Sequence, residues 1–274
     1  MHYGISVPNF AIFGDCRVLA GLARNAEAAG WDGFFIWDHL LFWKGMDMPI
    51  VDPWVALAAI ALATERVRIG PMVAPLARRR PWKAAREAVS IDHLSNGRLI
   101  LGVGLGEPVQ ADFAPFGEAT DPRVRARQLD ESLDLLTGLW SGKPFSYAGE
   151  HFRIDDVTFL PPPVQSPRIP IWVAGVWPNK PPVRRAARWD GYFPIRSGDD
   201  GEFPPVTAAD ARAIGTYLAA HRTSADPIDL VITGQTHNRP QDIERVSALA
   251  AVGTTWWLES LDPWDSTLDE TRAR

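Results

Sequence analysis

A carboxylate and an imidazole stand side by side at Asp38-His39, directly after the apolar run Gly33-Phe34-Phe35-Ile36-Trp37. Imidazole exchanges protons near neutral pH, and a nearby carboxylate can fix its tautomer. Adjacent residues on extended backbone point to opposite sides, so Asp38 need not be the carboxylate that holds His39. The competing reading is a helix-capping Asp and a surface His. The same dipeptide recurs at Asp92-His93. There it falls in the last turn of a helix, where a His complements the helix dipole, and it reads as structural. Gly102-Val103-Gly104-Leu105-Gly106 resembles part of a dinucleotide fingerprint but lacks the required G-x-G-x-x-G spacing. Its glycines permit close approach of a flat ligand, or tight packing at a rim. Glu107 follows at once and could face the same cavity. His39, Glu107, His237 and Glu259 carry no metal-ligand spacing, and no metal is expected. Arg78-Arg79-Arg80 with Lys83 and Arg86, and Arg184, Arg185 and Arg188, form two basic clusters suited to phosphates or carboxylates. For most of these residues the default reading is a solvated helix face.

The elements that must position these groups alternate in type. Short apolar runs at 3–7, 33–37, 67–73, 98–103, 169–174, 191–195, 229–234 and 254–259 read as strands buried on both faces. Segments of helical period lie between them, at 16–29, 53–64, 81–97, 122–140, 181–188, 207–221 and 241–251, with a last helix expected after Pro263. Eight strand-then-helix units predict an α/β fold, a parallel (β/α)8 TIM barrel, with a doubly wound open sheet as the competitor. One domain over residues 1–274 is expected, since no low-complexity linker divides the chain. The long interval between strands four and five is an insertion carrying a hairpin at 145–154. A barrel of this kind keeps its site at the carboxyl ends of the strands. That narrows the search to 37–40, 73–76, 104–107, 175–177, 235–237 and 259–260.

The charge balance is 28 basic against 33 acidic residues, net −5, which argues against a nucleic-acid partner. Cys16 is the single cysteine, so neither an internal disulfide nor a cysteine zinc site is available. No apolar run approaches the roughly 18–20 residues of a membrane helix. Met1-His2-Tyr3-Gly4 lacks a signal peptide's features, so a cytoplasmic location without membrane association is expected. The 12 tryptophans are unusual beside 4 tyrosines. Trp37, Trp43 and Trp177 fall at or after strand ends, and at least one is expected to line the ligand cavity. Trp172, Trp256 and Trp257 are expected to alternate between barrel interior and helix layer.

Several stretches resemble the bacterial luciferase-like flavin-dependent oxidoreductases. They are residues 30–40 (GWDGFFIWDHL), 64–73 (TERVRIGPMV), 92–104 (DHLSNGRLILGVG), 171–175 (IWVAG) and 185–191 (RAARWDG). The match is weak after Pro194. The resemblance implies a barrel binding coenzyme F420, or alternatively FMN, at the strand ends. It implies a bulge in strand three, often with a non-prolyl cis peptide, pressing on the ring at Met72-Val73, beside Ala74. Leu105 and Gly106 would lie at the same site, and Ala174-Gly175-Val176-Trp177 would hold the cofactor phosphate by backbone amides. Pro178 and Pro181-Pro182 depart from the expected glycine and serine there. Asp38-His39 is similar to the deazaflavin branch, with Asp38 near the cofactor and His39 in proton transfer, and Glu107 resembles an acidic residue of some deazaflavin dehydrogenases. The function so implied is hydride transfer between F420 and a small organic substrate. The alternatives are an FMN-dependent monooxygenase served by a flavin reductase, and a flavin-binding protein without turnover. Members are commonly homodimers, and the helical face around Trp54, Leu57 and Ile60 could serve an interface or simply cover the barrel.

Overall fold

The structure is a computed structural model, and it describes residues 1–198, 203–222, 224–264 and 267–273. In chain order the elements are β1 (His2–Val7), α1 (Cys16–Ala28), β2 (Gly33–Ile36), α2 (Pro53–Ala63), β3 (Arg68–Pro71), β4 (Ala74–Pro75) and α3 (Pro81–Leu94). There follow β5 (Leu101–Gly104), α4 (Val109–Asp112), α5 (Pro122–Trp140), the hairpin strands β6 (Phe145–Ala148) and β7 (Arg153–Val157), and β8 (Ile171–Trp177). The chain continues with α6 (Lys180–Ala186), β9 (Gly191–Arg196), α7 (Ala208–His221), β10 (Asp229–Gly234), α8 (Pro240–Ala251), β11 (Trp256–Ser260) and α9 (Leu268–Ala273). Side-chain caps set several helix starts. Asp52 accepts from the amides of Trp54 and Val55, Asp121 from those of Arg123 and Val124, and Thr207 forms a capping box with Asp210.

Nine parallel strands run in the order β3-β2-β1-β11-β10-β9-β8-β5-β4. A parallel bridge between Ile69 and Leu99 joins the two edges. β3 and β4 are therefore one strand position, broken at a cis peptide between Met72 and Val73. The result is an eight-position barrel, and the open-sheet alternative falls. The expected strand at 67–73 is corrected here: the break leaves 68–71 paired with β2 and 74–75 paired with β5. In a regular strand neighbours face opposite sides. At this break Met72 and Val73 both pack on the barrel interior.

The interior holds Phe35, Met72, Ile100, Trp172, Ala174, Phe193, Val231, Trp256 and Leu258. Its lower half is a ring cluster. Trp172 lies 5.4 Å from Phe35 and 5.3 Å from Trp256, centroid to centroid. Each such ring, fully buried, stabilises by about 1.5–3 kcal/mol. Trp257 turns outward into the helix layer, so the expected alternation of Trp172, Trp256 and Trp257 holds. The tips of the large rings fill the barrel's lower end. Toward the carboxyl ends the interior narrows to smaller side chains, Ala174, Val73 and Ile195, the last two partly exposed. The large rings thus gather at one end, and the small side chains lie on the side where the strand-end loops gather.

Candidate functional site

His39 follows β2 on a loop whose backbone is fixed from inside the protein. Asn9, fully buried, donates from Nδ2 to the carbonyls of His39 (2.9 Å) and Val51 (2.7 Å), and its Oδ1 accepts from the His39 amide. The ring is fixed separately. Nδ1 of His39 lies 2.6 Å from Oδ2 of Asp112, the last residue of α4. The other oxygen of Asp112 accepts from the amides of Leu40 (2.9 Å) and Leu41 (2.7 Å). Phe10, Trp37 and Phe42 surround the imidazole, with centroids 5.9, 5.8 and 5.0 Å away. Trp37 in turn donates its indole N–H to Ser6 Oγ at 3.1 Å. The His39 side chain is 13% exposed. Among the described residues no hydrogen-bond partner reaches its Nε2.

Asp38 occupies the opposite side of the same loop, as the alternation argument anticipates. Its side chain is fully buried, with Oδ1 2.8 Å from Arg78 Nη2 and Oδ2 2.7 Å from Arg79 Nη2. Arg78 also donates to the Asp38 carbonyl. Burial draws the Arg78 guanidinium below its ordinary value, and the charge of Asp38 opposes that shift. Arg78 and Arg79 are therefore not on a solvated helix face. They sit in the turn after β4 and lock the end of strand two to the end of strand three.

The end of strand four is held in a comparable way. Arg125 of α5, its side chain 2% exposed, donates to the carbonyls of Leu105 (3.0 Å) and Gly106 (2.6 Å) and approaches Glu107 at 3.3 Å. Phe113 packs under the guanidinium, 4.9 Å from ring centre to Cζ. Gly106 is left-handed, φ +85°, and a Cβ there would come within 2.7 Å of Phe113 and Pro75. Only glycine fits that turn. Glu107 has a side chain that is 69% exposed, and its Oε2 accepts from the Val109 amide at the start of α4. It stands at the rim of the site.

The remaining residues divide between the two sides of the barrel wall. Ala74 is fully buried in the outer layer. Ala174 faces inward, and alternation along β8 puts Val176 on the same side. Gly175 faces α6, where a Cβ would meet Pro182 at 2.1 Å. Trp177 also turns outward: its indole N–H donates to Asp210 Oδ1 at 3.1 Å and Lys180 Nζ lies 4.0 Å over its ring. Of the three strand-end tryptophans, Trp37 is the one beside His39, while Trp43 is 60% exposed in the following loop. Burial pushes Asp210 up, but hydrogen bonds from Thr207 and Trp177 and the charge of Arg196 bring it below its ordinary value overall.

Val73, Ala174 and Ile195 are small apolar groups of the barrel interior, and His39 Nε2, at the end of strand two, has no hydrogen-bond partner among the described residues. The start of α6 fits an anion less well. Pro181 and Pro182 have no amide hydrogen, and the Asn179 amide already donates to Val176. The second basic cluster is engaged elsewhere, with Arg185 bound to Asp130 and Arg188 to Asp134 of α5. Asp92 and His93 are structural, as expected. Asp92 accepts from Val164 and Gln165, and His93 pairs with the Pro162 carbonyl. Among the described residues no group of three or more His, Cys, Asp and Glu could hold a metal ion.

Sequence reasoning did not find Asp112, Asn9 or Arg125. Asp112 sits 73 residues from His39 on a four-residue helix too short to show a period. Asn9 and Arg125 act through backbone carbonyls, which leave no mark on composition.

Comparisons with known proteins bear on the fold and the family. Two relatives stand out: the F420-dependent glucose-6-phosphate dehydrogenase of Nakamurella multipartita, 35% identical over 74% of this chain, and the F420-dependent hydroxymycolic acid dehydrogenase of Mycobacterium tuberculosis, 33% identical over 83%. The matched segments span 59% and 63% of those relatives' own lengths. Among solved structures, an F420-dependent secondary alcohol dehydrogenase in complex with an F420-acetone adduct superposes with TM-score 0.78 over 99% of this chain and 96% of its own, at 15% identity. A monooxygenase from Streptomyces bottropensis superposes with TM-score 0.74 at 19% identity, covering 100% of this chain and 96% of its own. Those identities speak for the shared barrel alone. The family model described as luciferase-like monooxygenase matches residues 5–271, nearly the whole barrel, and the chain belongs to that family.

Proposed function

We propose that the chain is an oxidoreductase that moves a hydride between coenzyme F420 and a small organic substrate, acting as one catalytic domain in the cytoplasm. The observation that carries the reading is the imidazole of His39 at a strand end, fixed at backbone and ring yet without a hydrogen-bond partner at Nε2 among the described residues. The F420-dependent dehydrogenases among its relatives support the choice of cofactor. A bound deazaflavin supplies a two-electron centre that takes or gives hydride; the protein supplies position, dryness and a proton path.

In this reading His39 accepts a proton from the substrate hydroxyl, or returns it in the reverse direction. Val73, Met72 and Ala174 support the ring, and Leu105 and Gly106, held by Arg125, border it. Glu107 acts at the rim on substrate or on a water. Asp38 and Ala74 serve the cofactor indirectly, by shaping the loops around it. Gly175, Val176 and Trp177 contribute backbone to the cofactor's outer end. FMN with a partner flavin reductase is the second reading, favoured by the likeness of the barrel to that of monooxygenases. A flavin-binding protein without turnover is the third.

Fluorescence titration of purified protein with F420 and with FMN decides between the first two. Tight F420 binding with weak FMN binding is expected, and the opposite order would refute the proposal. His39→Ala is expected to lower turnover about 10²–10⁴-fold, the usual contribution of a positioned acid or base. Unchanged turnover would remove His39 from the chemistry.

A homodimer is also proposed. Trp54, Leu57 and Ile60 of α2 are buried against the barrel, so that face is the cover and not an interface. The opposite face carries Val55 (61% exposed), Leu62 (73% exposed) and the half-buried Ala58 and Ala59, and the helix has no charged residue. A helix apolar on all sides belongs between two layers, and a second copy would provide the outer one. No helix among the described residues is long and apolar enough to cross a membrane.

A further inference from the structure

We propose that Asp112 is the positioning residue for His39, holding the imidazole in the tautomer that carries its proton on Nδ1 and its lone pair on Nε2. Its use in turnover rests on the hydride-transfer reading above; the geometry itself does not. A carboxylate has acceptors only, so the 2.6 Å contact between Asp112 Oδ2 and His39 Nδ1 requires the proton on Nδ1. The carboxylate cannot swing away, because Oδ1 is held by the amides of Leu40 and Leu41 and Asp112 is 1% exposed. The ring cannot readily turn over either. Asn9 pins the His39 backbone, and Phe10, Trp37 and Phe42 enclose the imidazole.

The consequence is a base that is ready before substrate arrives. Nε2 takes one proton, and the imidazolium so formed is shared with Asp112 instead of being left in an apolar enclosure. Asp112 belongs to α4, inside the insertion between strands four and five. The insertion therefore completes the catalytic group of a loop that precedes it by 73 residues.

Asp112→Asn tests this with little change of shape. The Asn oxygen can still accept from Leu40 and Leu41, while its NH2 must face Nδ1 and so moves the ring proton to Nε2. Nitrogen-15 NMR of histidine-labelled protein, recorded without cofactor at alkaline pH where imidazole is neutral, reads the tautomer directly. His39→Gln identifies the signal. We expect the Nδ1–H form in the wild type and the Nε2–H form in Asp112→Asn, with kcat reduced about 10²–10⁴-fold and KM little changed. A wild-type Nε2–H signal, or the same tautomer in both proteins, would overturn the proposal. Should the variant fail to fold, the wild-type spectrum alone decides. A tautomer that behaves as expected in a protein that binds no F420 would uphold the role of Asp112 and refute the cofactor reading.

Discussion

Asp38→Asn separates a structural carboxylate from a ligand-binding one. In the wild type Asp38 compensates two guanidiniums, Arg78 with a side chain 2% exposed and Arg79 with one 16% exposed, at 2.8 and 2.7 Å. Asparagine keeps one oxygen but removes the charge, leaving Arg78 buried without a paired carboxylate and Arg79 with only Glu87, 4.0 Å away. Removing one partner of a buried ion pair costs about 3–5 kcal/mol. Two residual contacts argue for the lower half of that range: Arg78 keeps its bond to the residue 38 carbonyl, and Arg79 keeps Trp54 beneath it at 5.5 Å. At about 2–4 °C per kcal/mol for a chain of this size, the midpoint should fall by roughly 6–16 °C. Urea unfolding with an unchanged slope, together with a thermal scan, measures the loss. A variant within about 1 kcal/mol of wild type would refute the view that this cluster anchors the site. Weakened F420 binding at unchanged stability would instead make Asp38 a direct cofactor ligand.

Burial lifts the Asp229 carboxyl above its ordinary value, against hydrogen bonds from Thr255 and Trp172 and the charge of His2. A raised folded value means its contribution is complete below the unfolded value and is lost as pH rises through the folded one. Asp229→Asn keeps an acceptor for the Trp172 indole and should raise the midpoint at neutral pH, with the gain vanishing in acid; a lower midpoint at pH 7 would refute this. Added F420 should quench tryptophan emission, less in Trp37→Phe and unchanged in Trp177→Phe, since Trp37 borders His39 and Trp177 packs outward. Equal quenching in both variants would contradict that placement. Val55→Glu with Leu62→Glu should convert a dimer to a folded monomer in sedimentation, whereas an unchanged mass would argue that the outer face of α2 is not the interface.

The barrel was legible because its signals are local and repeated. Apolar runs such as 33–37 and 229–234 can only be strands buried on two sides, and their alternation with helices leaves few topologies. The break at Met72-Val73 was readable only through family resemblance, since nothing in the residue types there departs from a strand. His39 was legible by its place at a strand end. Its ring partner was not. Asp38 is adjacent in sequence but faces away, and Asp112 is adjacent in space but distant in sequence. The arginines misled for a related reason. A run such as Arg78-Arg79-Arg80 reads as solvated until a buried carboxylate is known to lie opposite it. The tryptophan excess resolves into separate uses: Trp172 and Trp256 fill the barrel, Trp177 and Trp257 join the helix layer, and Trp37 borders the candidate site.

The central claim is hydride transfer from a carbon of a small substrate to a deazaflavin, and isotope transfer tests it most directly. A secondary alcohol deuterated at its carbinol carbon is incubated with the protein and oxidised F420 in the absence of oxygen. The recovered reduced cofactor should carry the deuterium, and the label should be absent when His39→Ala replaces the wild type on the same timescale. Reduced cofactor without label, or product formed only with reduced FMN and oxygen, would contradict the account.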